Sequence, residues 1–580
     1  MNKHGRRAAS WCAIGAVILM TGPIVAAEQM VPVTIRMRAQ ADSEILAEAA
    51  SIPDKRVRRE TVIGLLKDIA ASSQGEILAI LQRAEQTGDA AQVRSLWVAN
   101  VIGARVSPQV LARLQLRDDV ARITVEQEVG LDVLPAEMAS PGGEILPASL
   151  TCGIDLIDAD RVWDEFGITG QNVIVAVIDT GCCITHPDLA GQVWINPDEI
   201  PNNGFDDDHN GFVDDVYGWD FEHHINDVND SVGHGTHVTG TIAGDGTNGQ
   251  QTGVAPGLSF MTLKFSNSLS GEQSVWDAMQ YGLDNGADVI NGSLGWSYLH
   301  SPDRATWRLV CENTMAAGVV LVYAGGGLGC FNPPWDITTP GDVPDVITVG
   351  VTDCSDTVAS FTSCGPVTWQ DVEPYNDWPY PPGKMKPSVV APGVDTLSTS
   401  FDCDGYVSMS GSSMATPHVS GTVALMLAAN PTLDQASVWD ILRMTCLDLG
   451  DPGEDNRSGA GRVDAYAAVQ AALAADGGRV TLTVESLCPG AGTAVLTAGN
   501  VQPGAQVAFA YSMKNGSTRV PGCPGVYSDL RNAQLAGFAV ADGSGRAVLE
   551  GYAPAQACDH VMVQAVDVTG CRTSHVMLLR

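Results

Sequence analysis

The sequence predicts an α/β protein built on a parallel sheet, with a small α/β module before it and a β-sandwich-like domain after it. Three observations carry that prediction. Short apolar runs at 172–178, 260–265, 288–294, 318–324 and 345–351 are separated by helix-like stretches at 271–286 and 301–318, the rhythm of buried parallel strands with crossover helices. Residues 28–135 alternate strand-like and helix-like segments and concentrate the basic residues. After about residue 478 the helical rhythm stops, and strand candidates lie between Gly/Pro turns.

In chain order, Lys3, His4, Arg6 and Arg7 precede an apolar run from Trp11 to Met20, and Val25-Ala26-Ala27 offers a small-residue cleavage site. Residues 1–27 are therefore expected to be an export signal, and the run is short for a bilayer span. The destination expected is extracellular or periplasmic, with no stable membrane insertion. In the 28–135 module, VPVTIRM reads as a strand, residues 59–86 as a helix, and SPQVLARLQLRDDV as a second helix capped by Ser107 with Pro108 in its first turn. The Pro/Gly-containing stretch 136–150 reads as a linker or processing region. The main domain is expected over 151–475 and the β domain over 478–580.

Composition narrows the function classes. The 580 residues are 45% hydrophobic, enough for a large core. Against 32 basic residues stand 67 acidic ones, a formal charge of -35 that argues against nucleic acid or an anionic membrane as partner. Setting Cys12 aside with the signal, thirteen cysteines remain, as expected for an oxidising compartment. Cys488, Cys523, Cys558 and Cys571 suffice for two bridges. The nine central cysteines cannot all pair, and the adjacent Cys182 and Cys183 do not readily bridge one another.

Three glycine-rich segments supply chemistry: VIDTG around Asp179, GHGTHVTG around His234, and SGSSMATPHVSG around Ser413. Asp179 follows the strand at 172–178, at the carboxyl end of the sheet where open α/β folds place ligands. Alone, it would more commonly be a capping residue before a turn. His234 alone reads as a structural or metal-binding histidine with His237, although HGTH is not the zinc pattern HExxH. Ser413 alone is an ordinary helix start. Pro417 places that start near Ser413, with the hydroxyl beside free backbone N–H groups. Together the three make a nucleophilic hydrolase: histidine removes the serine proton and the carboxylate orients and supports the imidazole. Their order, Asp, His, Ser, excludes the α/β-hydrolase and chymotrypsin-like arrangements.

On these motifs, with His186-Pro187-Asp188-Leu189 and KPSVVAPG at 386–393, the chain resembles the subtilases. It is most similar to secreted bacterial members with an inhibitor-like propeptide, strongly over 155–470 and loosely over 28–135. The resemblance implies a serine endopeptidase with Asp179, His234 and Ser413 as its triad. It implies a polypeptide substrate added as a strand beside Ser293, Leu294 and Gly295, with Gly325 and Gly326 and the backbone near Gly271 also at the groove. It further implies 28–135 as an intramolecular inhibitor, and a monomeric enzyme without organic cofactor. Trp296 is expected either in the pocket or in the core. One departure stands out. VYAGGGLG puts Gly327 where subtilases carry an oxyanion-binding Asn, leaving the Ser413 N–H as the remaining donor; losing one such donor costs about 3 kcal/mol. The expectation is a slow or selective protease; the alternative is a catalytically impaired, subtilase-like peptide-binding protein.

A separate acidic loop, NGFDDDHNGFVDD, presents Asp206, Asp208, Asn210 and Asp214 at alternating positions, with Gly211 for the turn and Asp215 adjacent. Hard oxygens in this pattern predict structural calcium, against the alternative of a solvated acidic loop.

Overall fold

A computed structural model of the chain describes residues 30–126, 137–138, 149–265, 271–475, 480–485, 491–523, 526–558, 560–574 and 577–579. The expected export signal, most of the 136–150 linker and Cys488 lie outside the described residues.

The N-terminal module runs β1 (Val31–Met37), α1 (Ser43–Ala50), α2 (Lys55–Thr87), β2 (Ala90–Leu96), β3 (Val101–Val106), α3 (Pro108–Leu114) and β4 (Val120–Val125). Its strands form an antiparallel sheet of order β2-β3-β1-β4. Ser107 caps α3 by accepting from the Val110 N–H, with Pro108 opening the helix, as expected. The sequence reading missed α1 and merged β2 with its neighbours. In β2, Gln92 takes a positive φ and the pairing shifts register, which breaks the alternation a strand normally shows.

Two short strands follow, β5 (Glu137–Met138) and β6 (Ser149–Leu150), then α4 (Cys152–Leu156) and α5 (Ala159–Phe166). The central unit continues with β7 (Ile174–Asp179), β8 (Gly218–Asp220), α6 (His234–Ala243), β9 (Gln250–Gln251), β10 (Ser259–Lys264), α7 (Glu272–Asp284), β11 (Val289–Gly292), α8 (Arg304–Ala316), β12 (Val320–Ala324), β13 (Ile347–Thr352) and β14 (Val389–Pro392). A hairpin, β15 (Thr396–Thr399) and β16 (Tyr406–Ser410), leads into α9 (Ser412–Ala429), α10 (Gln435–Thr445) and α11 (Ala465–Ala474).

Seven of these strands form one sheet of order β14-β13-β12-β11-β7-β10-β8, every neighbour parallel. All five expected strands are in it. The sequence reading missed β8 and β14, which at three and four residues are too short to give a pattern. Side chains alternate between two cores: Val175 and Val177 pack with α6 and α9, while Ala176 and Ile178 pack with α7 and α8. Val62, Leu66, Trp97 and Val98 of the N-terminal module join the second core. The module is thus docked on α7 and α8. Trp97 N–H donates to Gln280 at 3.0 Å, Asn313 donates to Val98 O at 2.6 Å, and Lys55 pairs with Asp288 at 2.7 Å.

The C-terminal residues form antiparallel sheets, 481–485 with 492–499 and 547–553, and 534–540 with 506–512, 562–567 and 572–573. The strand at 492–499, rich in Ala, Gly and Thr, was not anticipated. Disulfides join Cys152 to Cys354, Cys183 to Cys403, Cys330 to Cys364 and Cys523 to Cys571. Cys182, Cys311 and Cys446 are free, so one of the vicinal pair bridges and the other is a buried thiol. No described helix is long and apolar enough to cross a membrane.

Candidate active site

Asp179 is the last residue of β7, so its carboxylate leaves the sheet at the carboxyl end. His234 opens α6 on the neighbouring connection. The glycines around it have separate reasons. Gly233 has φ 98°, a left-handed conformation that a side chain strains, and a Cβ on Gly235 would lie 2.1 Å from Gly181 O and 3.1 Å from Asp179 Cβ. Only hydrogen fits at 235 if the histidine is to sit against the aspartate. His234 Nδ1 donates to Asp179 Oδ1 at 2.7 Å, with both residues buried. Asp179 Oδ1 also accepts the Thr180 N–H at 2.8 Å. Burial opposes charging of the imidazole, but the Asp179 charge and hydrogen bond, with Asp230 behind them, outweigh it and raise the His234 pKa. The other nitrogen, Nε2, is buried without a hydrogen-bond partner. That is the atom a general base uses.

Asp230 was not foreseen. Its Oδ1 accepts from Thr180 Oγ1, Val232 N and Gly233 N, and its Oδ2 from Thr236 N and Oγ1. It ties the DTG turn to the start of α6. No spacing rule marks it, because its role exists only once the two segments meet.

Ser413 is the second residue of α9, where the backbone N–H has no acceptor within the helix. The helix starts at Ser412, next to Ser413 as expected, but its proline does not lie in the first turn. Pro417 lies in the second turn, and its missing N–H leaves the Ser413 carbonyl without its normal partner. Ser293 Oγ donates to that carbonyl at 2.9 Å, and Ser413 Oγ donates to Ser293 O at 3.1 Å. The serine hydroxyl therefore rests on the Ser293–Leu294–Gly295 segment and must turn to reach an imidazole.

His237 is fully buried, with Nε2 at 2.9 Å from Thr396 O, and burial pushes its pKa down to about 3. It is a neutral structural residue. Trp296 is a core aromatic, 3% exposed and 5.2 Å from the Trp307 ring. Gly271 caps α7 and is covered by Glu126 of the N-terminal module, whose Oε2 lies 2.1 Å from where a Cβ would be. Gly325 and Gly326 are buried after β12, and Gly327 is partly exposed.

The acidic loop differs from the alternating pattern expected. Carboxylates of Glu199, Asp206 and Asp208 converge, with ligand atoms within 4.8 Å of one another. Asp214 instead accepts the N–H groups of Asn203 and Gly204, and the Asn210 amide donates to Asp208 and Asp215. Positive φ at His209, Gly211 and Asp214 coils the loop, so alternate residues do not share a side. Glu199, outside the motif, was missed. It is buried, and its Oε2 has no hydrogen-bond partner, which suits a cation ligand. This all-oxygen set suits a hard cation.

A buried Asp–His pair at the carboxyl end of a parallel sheet, with a serine at the start of α9, which packs on α6, fits a hydrolase of the serine class. The comparisons narrow it. A model of the subtilase family matches residues 170–461. Subtilisin DY of Bacillus licheniformis is 34% identical over 303 residues, 52% of this chain and 92% of that protein. Subtilisin E of Bacillus subtilis is 32% identical over 308 residues, 52% of this chain and 68% of that protein. Bacillopeptidase F of Bacillus subtilis is 30% identical over 442 residues, which is 71% of this chain but only 29% of the relative. The chain belongs to the subtilase family, and so to the serine-type endopeptidases.

Proposed function

We propose that the protein is a secreted endopeptidase made as a zymogen, with Asp179, His234 and Ser413 as its triad. The observation that carries this is the buried 2.7 Å contact between His234 Nδ1 and Asp179. It orients the imidazole and supports the positive charge formed when Nε2 takes the Ser413 proton. Ser413 Oγ then attacks the peptide carbonyl, His234 protonates the leaving amine, and water releases the acyl-enzyme. The Ser413 N–H at the start of α9 stabilises the oxyanion. With glycine at 327, turnover is expected to be slow for this chemistry.

In this reading residues 28–135 are an inhibitor-like propeptide. Its support is the docking of 31–126 on α7 and α8, including Glu126 over Gly271. Calcium is the cation that Glu199, Asp206 and Asp208 would hold. It would offset their mutual repulsion and hold the loop that precedes α6.

The test follows the secreted chain and its Ser413→Ala variant through self-maturation and labelling by a fluorophosphonate probe. Processing and labelling in the wild type, both lost in the variant, are expected. Their absence from the wild type would leave the catalytically impaired peptide-binding protein, the reading that Gly327 favours.

A further inference from the structure

The first half of α2 carries two rows of side chains at a spacing of four, and each row meets a different surface. Arg58, Val62, Leu66 and Ala70 are buried, and the three apolar ones join the core shared with α7 and α8. In the adjacent row, Lys55 Nζ lies 2.7 Å from Asp288 Oδ1, and Lys67 Nζ lies 2.7 Å from Asp284 Oδ1. Arg59 Nη2 donates to Ala287 O at 2.6 Å, with Asp288 Oδ1 at 3.6 Å. Asp284 is the last residue of α7, and Ala287 and Asp288 follow its cap at Asn285. Arg58 reaches the end of α8, where Nη2 is 2.9 Å from the place a Cβ on Gly318 would take, just past the cap at Ala317. Arg58 Nε and Nη2 have no hydrogen-bond partner, so the negative end of α8 and the charge of Asp434 steady the guanidinium.

The last turn of a helix presents carbonyls without partners and a negative partial charge. Two such ends, with Asp284 and Asp288 beside one of them, are met by four cations from a single helix. The module's other contact, Glu126 over Gly271, is at the opposite end of α7. That helix has 13 residues, so the two contacts are about 20 Å apart along it. We propose that the C-terminal ends of α7 and α8, with Asp284 and Asp288, form a docking site for a basic amphipathic helix. Residues 55–67 occupy it as an anchor that keeps the module bound after the chain between module and peptidase is cut. This rests on the reading of 28–135 as an inhibitor-like propeptide. Exposure ranks the contacts: Lys55 and Asp288 are 19% and 18% exposed, against 46% and 33% for Lys67 and Asp284, so the first pair carries more of the affinity.

The test measures retention of the cleaved module on the matured peptidase by size exclusion over a dilution series. Lys55→Met should weaken retention at least about tenfold, because it strips the part-buried Asp288 of its nearest cation. Lys67→Glu should weaken it less, by about threefold. Adding Asp284→Lys to Lys67→Glu should restore it, which a module that had merely misfolded would not do. Raising salt from about 0.05 M to about 0.5 M should loosen the wild type more than the Lys55→Met/Lys67→Met variant. Release of the module from the wild type on cutting, unchanged retention in Lys55→Met, or no recovery in the swapped pair would overturn the proposal. A wild type that never matures removes the protease reading by itself, and the uncut chain still reports the anchor. Hydrogen exchange across 55–67 should then rise in Lys55→Met and Lys67→Glu and fall back in the swap. Exchange that stays the same in all three would overturn the anchor independently of activity.

Discussion

Ser293 and Ser413 exchange hydrogen bonds, hydroxyl to carbonyl in each direction, at 2.9 and 3.1 Å. The exchange joins the end of the β11 strand to the start of α9. It also supplies the partner that Pro417 denies to the Ser413 carbonyl. Ser293, which the family resemblance puts at the substrate groove, therefore also holds the start of the helix that carries Ser413.

Ser293→Ala should destabilise the protein by about 1–3 kcal/mol, the cost of leaving a buried carbonyl unsatisfied. Thermal unfolding reads this directly. An unchanged melting temperature would mean that another group, or water, takes over the Ser413 carbonyl.

Gly327→Asn is expected to raise kcat by about 10²–10³, the usual worth of one oxyanion donor. The backbone permits it, since Gly326 and Gly329 have positive φ while Gly327 does not. Unaltered kcat on a peptide substrate would show that the oxyanion already has its second donor from elsewhere.

Calcium at about 100 times its Kd should stabilise the fold by about 2.7 kcal/mol, seen as a higher melting temperature that chelation reverses. Glu199→Gln should weaken calcium binding, titrated calorimetrically, whereas Asp214→Asn should leave it nearly unchanged because that carboxylate serves the loop backbone. The opposite ranking would restore the linear motif as the ligand set.

The docked N-terminal module should loosen as pH rises. Glu126 lies near Asp303, which accepts from Thr124 Oγ1 at 3.0 Å, and both raise the Glu272 pKa. Burial, with the charge of Asp303, raises the Glu126 pKa despite hydrogen bonds from Thr34 and Gln273 and the charge of Arg94. Burial likewise pushes the Glu272 carboxyl well up. A carboxyl whose pKa is higher when docked favours docking in its protonated form. Docking is therefore strongest below the free value of 4.5 and weakens as pH rises toward the raised values. After maturation, more of the cleaved module should co-elute with the peptidase at pH 5 than at pH 8, and Glu126→Gln should flatten the difference. Equal retention at both pH values in the wild type would refute the linkage.

Much of the site was legible in the chain because it is written in local backbone demands. Gly181, Gly233 and Gly235 mark places where the main chain must turn sharply or approach closely, and they flank Asp179 and His234 in short motifs. Buried parallel strands were legible for a related reason, since a strand covered on both faces must be a continuous apolar run. β8 and β14 were too short to show it.

What the sequence determined by itself was the kind of chemistry: an aspartate ending a strand, a histidine between two glycines and a serine near a helix start, all in glycine-rich motifs. Tertiary structure decided the rest, because it depends on contacts between segments far apart in the chain. Glu199 joins Asp206 and Asp208 only after the loop coils. Asp230 matters only where the turn at Thr180 meets α6. Spacing rules read neighbours along the chain, whereas these roles are set by neighbours in space.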